Sequence, residues 1–244
     1  MAEQTGTPRQ RYRAQVREEI KARAWDQIAE AGASALSLNA VAKQLGMTGP
    51  ALYRYFGGRD ELITELVTDA YRSLADAFRA AAEAGPDPVA LARRLRAWAA
   101  ADPHRYFLVY GTPVPGYQAP PETTAIAVEI MGHLLDACTA HLAARQGDTP
   151  PDASPEAPSE PLAAHLAEQR RWAGEHPAPP AALALALRFW TRLHGVLSLE
   201  LAGHFTGMGL DPERLFEAET AALGVSAGRS AAAPGGSAAD GASG

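Results

Sequence analysis

Apolar residues recur along most of this chain with the spacing of amphipathic helices. In the first clear case Val16, Ile20, Ala24 and Ile28 fall at every fourth position. This pattern predicts a helix over about residues 11–31, and Gly32 is suited to end it in a left-handed cap. Because no run of alternating β-branched residues is found, the predicted fold class is all-α.

Two short helices are predicted next. Apolar positions between residues 38 and 45 follow the i, i+3, i+4, i+7 spacing behind Ser37, a favourable N-terminal cap, and Gly46 comes directly after them. Thr48 is suited to cap a third helix that runs to about Tyr55. The pattern thus predicts two short helices joined by a tight turn, packed on the longer helix before them.

Longer helices are predicted for the rest of the chain. A fourth begins after Gly57 and Gly58 and ends before Gly85. Six further helices, each bounded by Pro or Gly, are predicted over about residues 88–101, 103–110, 122–145, 161–174, 179–203 and 211–223. Residues 147–161 contain five prolines, four acidic residues and no large apolar side chain, which predicts a mobile loop. Residues 226–244 are of low complexity and are predicted to form a disordered tail.

The segment from Ser37 to Phe56 contains the elements of a helix-turn-helix DNA reader. Its expected core is Leu38, Val41, Leu45, Leu52 and Phe56. That core would hold a short helix rigid enough to enter a major groove about 12 Å wide. The side chains predicted to face outward are Thr48, Gly49, Ala51, Tyr53, Arg54 and Tyr55. Hydroxyl groups, a guanidinium and a helix N-terminus can all meet phosphate oxygens.

The charge distribution is consistent with a nucleic-acid partner for the first part of the chain only. The formal net charge is −6, but residues 1–60 carry +3 and residues 61–244 carry −9. A basic segment joined to an acidic one suggests that the two parts have different partners. The cations Arg9, Arg11, Arg13 and Arg17 are interpreted either as an arm that follows the DNA backbone or as a solvated charge run.

The residues from Leu38 to Phe56, followed by Arg59-Asp60-Glu61-Leu62, resemble the amino-terminal domain of TetR-family transcriptional regulators. The resemblance rests on the turn glycine, the Leu-Tyr-Arg-Tyr-Phe end of the recognition helix and the charged start of the fourth helix. Carried over by position, it implies DNA contacts by Asn39, Lys43, Thr48, Gly49, Ala51, Tyr53, Arg54, Tyr55 and Arg59. The alternatives are partial core burial for the two tyrosines and surface salt bridges for the two arginines. Gly58 departs from the Ser or Asn frequent in the family, so the fourth helix is expected to lack a side-chain cap.

The larger part of the chain is similar to carboxyl-terminal domains of some of these regulators. The similarity lies in residues 105–111, with their Tyr-Phe-Leu-Val-Tyr-Gly run, and in the Trp190 to Gly195 element. It implies dimerisation through the last two long helices, over about residues 179–203 and 211–223, and an enclosed small-molecule pocket. The apolar side chains that exceed what one helix face needs are Leu183, Leu187, Trp190, Leu197, Leu201, Leu215 and Phe216, and these are predicted to form the dimer interface.

Aromatic and polar side chains of the larger part are candidates for the effector pocket. They are Trp98, His104, Tyr106, Phe107, Tyr110, Met131, Trp172 and His194, with core packing as the alternative for each. His133, Asp136 and His141 share one helix without the usual i, i+4 ligand spacing, so no metal site is predicted. No cofactor is predicted either.

The sequence also bears on the compartment. Cys138 is a single cysteine and cannot form an intramolecular disulfide, and no apolar signal segment is found. The longest strongly apolar stretch, Ala181 to Leu187, is shorter than the roughly 20 residues that a bilayer requires. A soluble, cytoplasmic protein without membrane contact is therefore expected.

Taken together, these patterns predict a sequence-specific DNA-binding regulator, and the resemblance implies a homodimeric repressor released from a pseudo-palindromic operator by a small, largely apolar effector. Its predicted parts are a flexible basic arm (1–10), a helix-turn-helix domain (11–58), a helical effector-binding and dimerisation domain (59–225) and the tail (226–244). The alternatives are a helical protein-binding adaptor and an enzyme housed in the helical domain. The enzyme is disfavoured, because no nucleophile elbow, phosphate-binding glycine loop or His-Glu-x-x-His pair is found.

Overall fold

The computed structural model describes residues 7–145 and 158–223, and in these two ranges it contains ten α-helices and no strand. The helices are α1 (Pro8–Ala31), α2 (Leu38–Gln44), α3 (Gly49–Leu52), α4 (Arg59–Ala82), α5 (Pro88–Ala101), α6 (Pro103–Tyr110), α7 (Pro121–Arg145), α8 (Glu160–Glu168), α9 (Pro180–Leu201) and α10 (Pro212–Ala222). The all-α prediction is confirmed. Most of the predicted arm and of the 147–161 loop, and the whole predicted tail, lie outside the described residues.

Three helices differ in extent from the sequence prediction. α1 begins at Pro8, earlier than expected, because Thr7 and Gln10 form a reciprocal capping box at its start. This helix therefore includes Arg9, which the prediction placed in the arm. Regular helix in α3 ends at Leu52 rather than near Tyr55. α8 ends at Glu168 and is followed by a separate 3₁₀ turn.

A first hydrophobic core joins α1, α2 and α3 to the first half of α4. Among its fully buried side chains are Ile20 of α1, Val41 of α2, Leu52 of α3 and Leu62 of α4. Because α4 residues belong to this core, the helix-turn-helix unit is packed as one body with the start of α4. The core thus extends past residue 58, where the predicted domain ended.

A second core joins the remainder of α4 to the helices of the larger domain. Its buried residues include Phe78 of α4, Leu95 of α5, Leu134 of α7 and Phe189 of α9. Because α4 contributes residues to both cores, this helix connects them directly.

α7 is long and apolar enough, by length and composition, to cross a bilayer, which the sequence analysis did not anticipate. In the folded chain its buried face belongs to the second core. Two of its acidic side chains are also engaged, Glu129 by Arg72 and Arg79, and Asp136 by His176. These contacts are those of a core helix.

Candidate DNA interface and ligand cavity

The recognition segment is held by a tight turn and two buried anchors. Gly46 has φ +64°, a left-handed conformation that favours glycine, and it directs the chain from α2 toward Thr48. After Leu52 the backbone continues in hydrogen-bonded turns, with the Tyr55 N–H donating to the Leu52 carbonyl at 2.8 Å. Leu52 and Phe56 are both fully buried. The segment between these anchors is therefore fixed against the first core.

The predicted DNA-facing residues of α2 and the recognition segment mostly lie at the surface. The exposed side chains are those of Asn39, Lys43, Thr48, Tyr53 and Arg54. Tyr53 is 49% exposed to solvent. Gly49, Ala51 and Tyr55 are half-buried. At Gly49 an added Cβ would lie 3.2 Å from Asn39 Oδ1, so a small residue permits the close approach of α3 to α2. The resulting surface is uncharged at the start of α3 and carries phenol and guanidinium groups at its end.

Two arginines of α1 hold the end of the recognition segment, a role that the sequence analysis did not assign. Arg13 Nη2 donates to the Arg54 carbonyl at 2.9 Å, and Arg17 donates to the Tyr55 carbonyl. The two guanidinium groups also lie over aromatic rings, Arg13 5.6 Å from the Tyr55 centroid and Arg17 4.1 Å from the Phe56 centroid. Arg17 is in addition paired with Glu65 of α4. The sequence analysis interpreted this basic run either as an arm that follows the DNA backbone or as solvated charges. Arg13 and Arg17 fit neither interpretation in full, because both side chains bind the recognition segment.

Arg59, whose DNA contact stays a prediction, also makes contacts within the protein. Its guanidinium donates to three backbone carbonyls of the α1–α2 connection: Nε to Leu36 at 3.1 Å, and Nη2 to Ala33 at 2.8 Å and Ser34 at 3.2 Å. The side chain therefore fastens the start of α4 to that connection, and most of its donors are already used. The expected absence of a side-chain cap at Gly58 is confirmed.

The larger domain contains a partly open cavity of about 230 Å³. Four aromatic side chains line it: Tyr71 of α4, Tyr110 of α6, Trp172 of the 3₁₀ turn and Trp190 of α9. The aliphatic lining is Ala127, Ile130, Met131 and Leu187. Of the residues predicted for the pocket, Tyr110, Met131 and Trp172 are therefore in the lining, whereas Tyr71 and Trp190 were not predicted there.

Tyr106 and His194 lie behind this lining. The Tyr106 hydroxyl is 3.0 Å from His194 Nδ1 and 2.8 Å from Ser198 Oγ. The His194 ring lies 4.4 Å from the Tyr110 ring and 4.3 Å from the Trp190 ring. Burial lowers the pKa of His194 to about 4, so the imidazole is neutral at neutral pH. The two residues thus support the cavity wall without forming it.

Three other residues predicted for the pocket also lie outside the cavity lining. Trp98 is buried and donates its indole N–H to Ser73 Oγ at 2.9 Å. Phe107 packs edge-on against Tyr106, with ring centroids 5.4 Å apart. His104 is exposed. Helical spacing identified apolar positions, but it could not distinguish a cavity lining from the core behind it.

Tyr110, one of the lining residues, carries a buried hydroxyl group. Its hydroxyl oxygen is buried and has no hydrogen-bond partner among the described residues. Burial, and then the neighbouring Tyr71 and Tyr106, raise the pKa of Tyr110 well above its ordinary value, so the phenol stays protonated. None of the described lining residues carries a charge.

The residues predicted for the dimer interface are either buried or half-buried within their own chain. Leu183, Leu197 and Phe216 belong to the second core and are nearly inaccessible. Leu187 and Trp190 line the cavity. Leu201 and Leu215 are half-buried against the same core. Leu183, Leu197 and Phe216 are therefore not available to a second copy, because helices of the same chain cover them. For the four half-buried side chains the interface stays a prediction.

The cavity and the DNA-facing unit share packed residues. Tyr71 lines the cavity and packs against both cores. On α6, Tyr110 faces the cavity while Leu108 packs against the first core, and Val114 and Tyr117 beyond the helix join that core too. α4 and α6 therefore connect the two parts directly.

Comparisons with known proteins agree with this arrangement. Residues 20–66 match the family described as bacterial regulatory proteins, tetR family, and residues 88–223 match the family described as tetracyclin repressor-like, C-terminal domain. The chain is 36% identical over 223 residues to the HTH-type transcriptional regulators Rv1816 of Mycobacterium tuberculosis and Mb1846 of Mycobacterium bovis. These alignments cover 86% of this chain and 93% of each relative.

Solved structures of other proteins have a similar fold. The fold is similar to that of SCO4313, described as a regulatory protein, with a TM-score of 0.78 at 60% identity over 89% of this chain and 98% of that one. A protein of unknown function from Rhodococcus sp. RHA1 shares the fold at 20% identity, with a TM-score of 0.62 over 91% of this chain and 96% of that one. The predictions of a family relationship and of a protein that is not an enzyme are both confirmed. The chain belongs to the TetR family of helix-turn-helix, DNA-binding transcriptional regulators.

Proposed function

We propose that this regulator is a homodimeric repressor that leaves a pseudo-palindromic operator when a small, largely apolar molecule occupies the cavity of its larger domain. The observation that carries the proposal is the shared packing of Tyr71, which lines the cavity and packs against the core of the DNA-facing unit. Because the bacterial chromosome lies in the cytoplasm, we expect the protein to act there.

The recognition segment supports the DNA part of the proposal. Its exposed Thr48, Tyr53 and Arg54 can meet phosphate oxygens and base edges, with Asn39 and Lys43 of α2 beside them. In a symmetric dimer the two segments must reach successive major grooves about 34–36 Å apart. An operator with two related half-sites follows from that symmetry.

The outer surface of α9 and the turn that follows it support the dimer part. In place of the buried residues predicted earlier, Leu199 is 45% exposed on α9, and Met208 and Leu210 are 66% and 42% exposed before α10. These three exposed apolar side chains lie within twelve residues of one another in the sequence, and exposed apolar patches mark subunit contacts. We therefore propose that these three side chains, and not Leu183, Leu197 or Phe216, meet a second copy.

Ligand response would act through the two connecting helices. A molecule that binds better to one spacing of the DNA-facing units shifts the protein toward that spacing by its differential affinity. Coupling free energies of this kind are typically about 1–3 kcal/mol, or about 5- to 150-fold in affinity. Tyr71 on α4 and Tyr110 on α6 are the lining residues placed to transmit the change.

Binding to the DNA upstream of the protein's own gene tests the proposal. We expect a shifted species that weakens as salt rises, because neutralised phosphates release counterions. The Arg54→Ala variant should bind about 10-fold more weakly, with a salt slope lower by about one. Arg94, exposed on α5 of the larger domain, provides the matched control, since Arg94→Ala removes the same charge away from the recognition segment.

Two results would contradict the DNA part. One is the absence of a shifted species at micromolar protein, and the other is an equal effect of the two arginine variants. Binding without salt dependence would instead favour the helical adaptor, whose protein contacts need not release counterions.

A further inference from the structure

We propose that the cavity binds an uncharged molecule of one or two rings that carries a single hydroxyl, or a group like it, for a hydrogen bond with Tyr110. This ligand class rests on the proposed ligand-responsive function and makes it specific. Three features carry it: the volume of the cavity, the absence of charge among its described lining residues, and the unpaired hydroxyl of the lining residue Tyr110.

The volume limits the size of the ligand. The cavity measures about 230 Å³, and an apolar protein cavity of about 150 Å³ is large enough to take benzene. One substituted ring, or two small rings, therefore fills the space. Long chains and large polycyclic molecules would extend out of this volume.

The lining excludes a charged ligand. None of the described lining residues is acidic or basic, and Glu129, which neighbours Ile130 on α7, is already engaged by Arg72 and Arg79. A charge transferred from water into such a site finds no counterion, which is strongly unfavourable.

A cation held by the aromatic rings is the strongest alternative. The rings, however, partly cover one another: Tyr71 and Tyr110 meet at 77° with centroids 6.0 Å apart, and Tyr110 and Trp190 meet at 79° with centroids 5.7 Å apart. In an edge-to-face pair the edge of one ring occupies the face of the other. Fewer faces are then free to surround a cation than in an open aromatic cage.

The unpaired hydroxyl supplies the specificity. A buried hydroxyl without a partner is unfavourable and uncommon in folded proteins. Tyr110 Oη is such a group, and the adjacent imidazole of His194 has a second buried atom without a partner among the described residues, Nε2. A ligand hydroxyl can both donate to and accept from the Tyr110 phenol. One bound molecule would thus give the Tyr110 hydroxyl a hydrogen-bond partner that the described residues do not provide.

Calorimetric titration of the full chain at neutral pH tests this with four matched probes. They are para-ethylphenol, para-ethyltoluene, para-ethylbenzoate and para-ethylbenzylammonium, which differ in one group only. We expect the phenol to bind about 5- to 10-fold more tightly than the hydrocarbon, the value of one hydrogen bond. The two charged probes should bind at least about 100-fold more weakly than the phenol.

Three variants locate the interaction. Tyr110→Phe should weaken phenol binding by about 5- to 10-fold and leave the hydrocarbon unchanged. Leu187→Trp, which fills the cavity, should abolish binding of both neutral probes. Tyr12→Phe is the control, because this exposed tyrosine of α1 lies outside the cavity.

The ligand class is overturned if a charged probe binds as tightly as the phenol, if no neutral probe binds, or if Tyr110→Phe weakens both neutral probes equally. Survival of phenol binding in Leu187→Trp would also overturn it. A parallel DNA-binding assay separates the two proposals. A charged probe that releases DNA would keep the ligand response and reject the class, whereas a phenol that binds without releasing DNA would keep the class and reject the response.

Discussion

Tyr106 and Tyr110 lie one helical turn apart on α6, and their hydroxyl groups have opposite surroundings. Tyr106 is fully buried and hydrogen-bonded to His194 and Ser198, whereas the Tyr110 hydroxyl is buried with no partner among the described residues. The sequence analysis predicted both as pocket residues, because both are aromatic and lie on one helix. It could not separate them, since the difference depends on α9, about 90 residues further along the chain.

The two tyrosines make a matched pair for stability measurements. Tyr106→Phe leaves His194 and Ser198 without a partner in a buried site, so we expect the free energy of unfolding to fall by about 1–3 kcal/mol. Tyr110→Phe removes an unpaired hydroxyl and should leave that free energy unchanged or raise it by up to about 1 kcal/mol. Urea unfolding of the ligand-free protein measures both. Equal losses would contradict the hydrogen bonding described here.

His194 predicts a pH dependence of stability. Burial lowers the pKa of His194 in the folded chain to about 4 from an ordinary value of 6.5, so the unfolded chain binds a proton that the folded chain does not. The free energy of unfolding should therefore fall as the pH drops from about 6.5 to about 4, by on the order of 3 kcal/mol. Urea unfolding at a series of pH values checks this. His194→Gln should lose that part of the dependence, and an unchanged slope would count against it.

Tyr71 shows a different limit of sequence reasoning. The buried stripe of α4 passes through Leu66, Ala70 and Leu74, and Tyr71 lies beside it, next to the polar Arg72. A residue at the edge of a helical stripe can face solvent, a neighbouring helix or a cavity. Only the packing of α6 and α7 beside α4 decides among these, so Tyr71 was not predicted as a lining residue.

At the scale of elements, the helices follow from apolar spacing, but their ends depend on local hydrogen bonds. The predicted boundaries of α2, α5 and α6 lie close to the observed ones, because capping side chains such as Ser37, Asp87 and Asp102 coincide with the start of the pattern. α3 is shorter than expected, since the backbone after Leu52 turns to i−3 hydrogen bonds at Arg54 and Tyr55.

The turn between α2 and α3 gives a test at this scale. At φ +64°, Gly46→Ala places a Cβ in the left-handed region, and we expect a loss of about 1–2 kcal/mol in the free energy of unfolding. Gly46→Asn should lose less, because asparagine tolerates that conformation. Thermal unfolding compares the two variants. Equal stability of both would show that the turn does not require a left-handed residue.

For the whole molecule, apolar patterning identifies α9 as a helix that is buried on more than one face. It does not show whether the same chain or a partner subunit covers those faces. α9 carries apolar residues on more than one face, a pattern that a partner subunit or the chain's own helices could satisfy equally well. In this chain α5, α7, α8 and α10 pack against α9. The interface prediction went wrong for Leu183, Leu197 and Phe216 because sequence spacing does not distinguish the two sources of burial.

The proposed dimer surface can be tested with one charge. Leu199→Glu places a carboxylate in the proposed contact, and we expect the dimer dissociation constant to rise at least about 10-fold, with weaker operator binding as a result. Leu162→Glu is the matched control, because Leu162 is similarly exposed but lies on α8. Analytical ultracentrifugation over a range of concentrations measures the change. A dimer equally tight in both variants would place the contact elsewhere.

Tyr71 packs against both hydrophobic cores, and this has a thermodynamic corollary for the DNA itself. Linkage between two binding sites is reciprocal, so any factor by which a cavity ligand weakens operator binding is also the factor by which the operator weakens that ligand. The operator duplex would thus act as a competitor without touching the cavity. A titration of para-ethylphenol into the protein–operator complex would then give a weaker affinity than a titration into the free protein, and the ratio would measure the coupling.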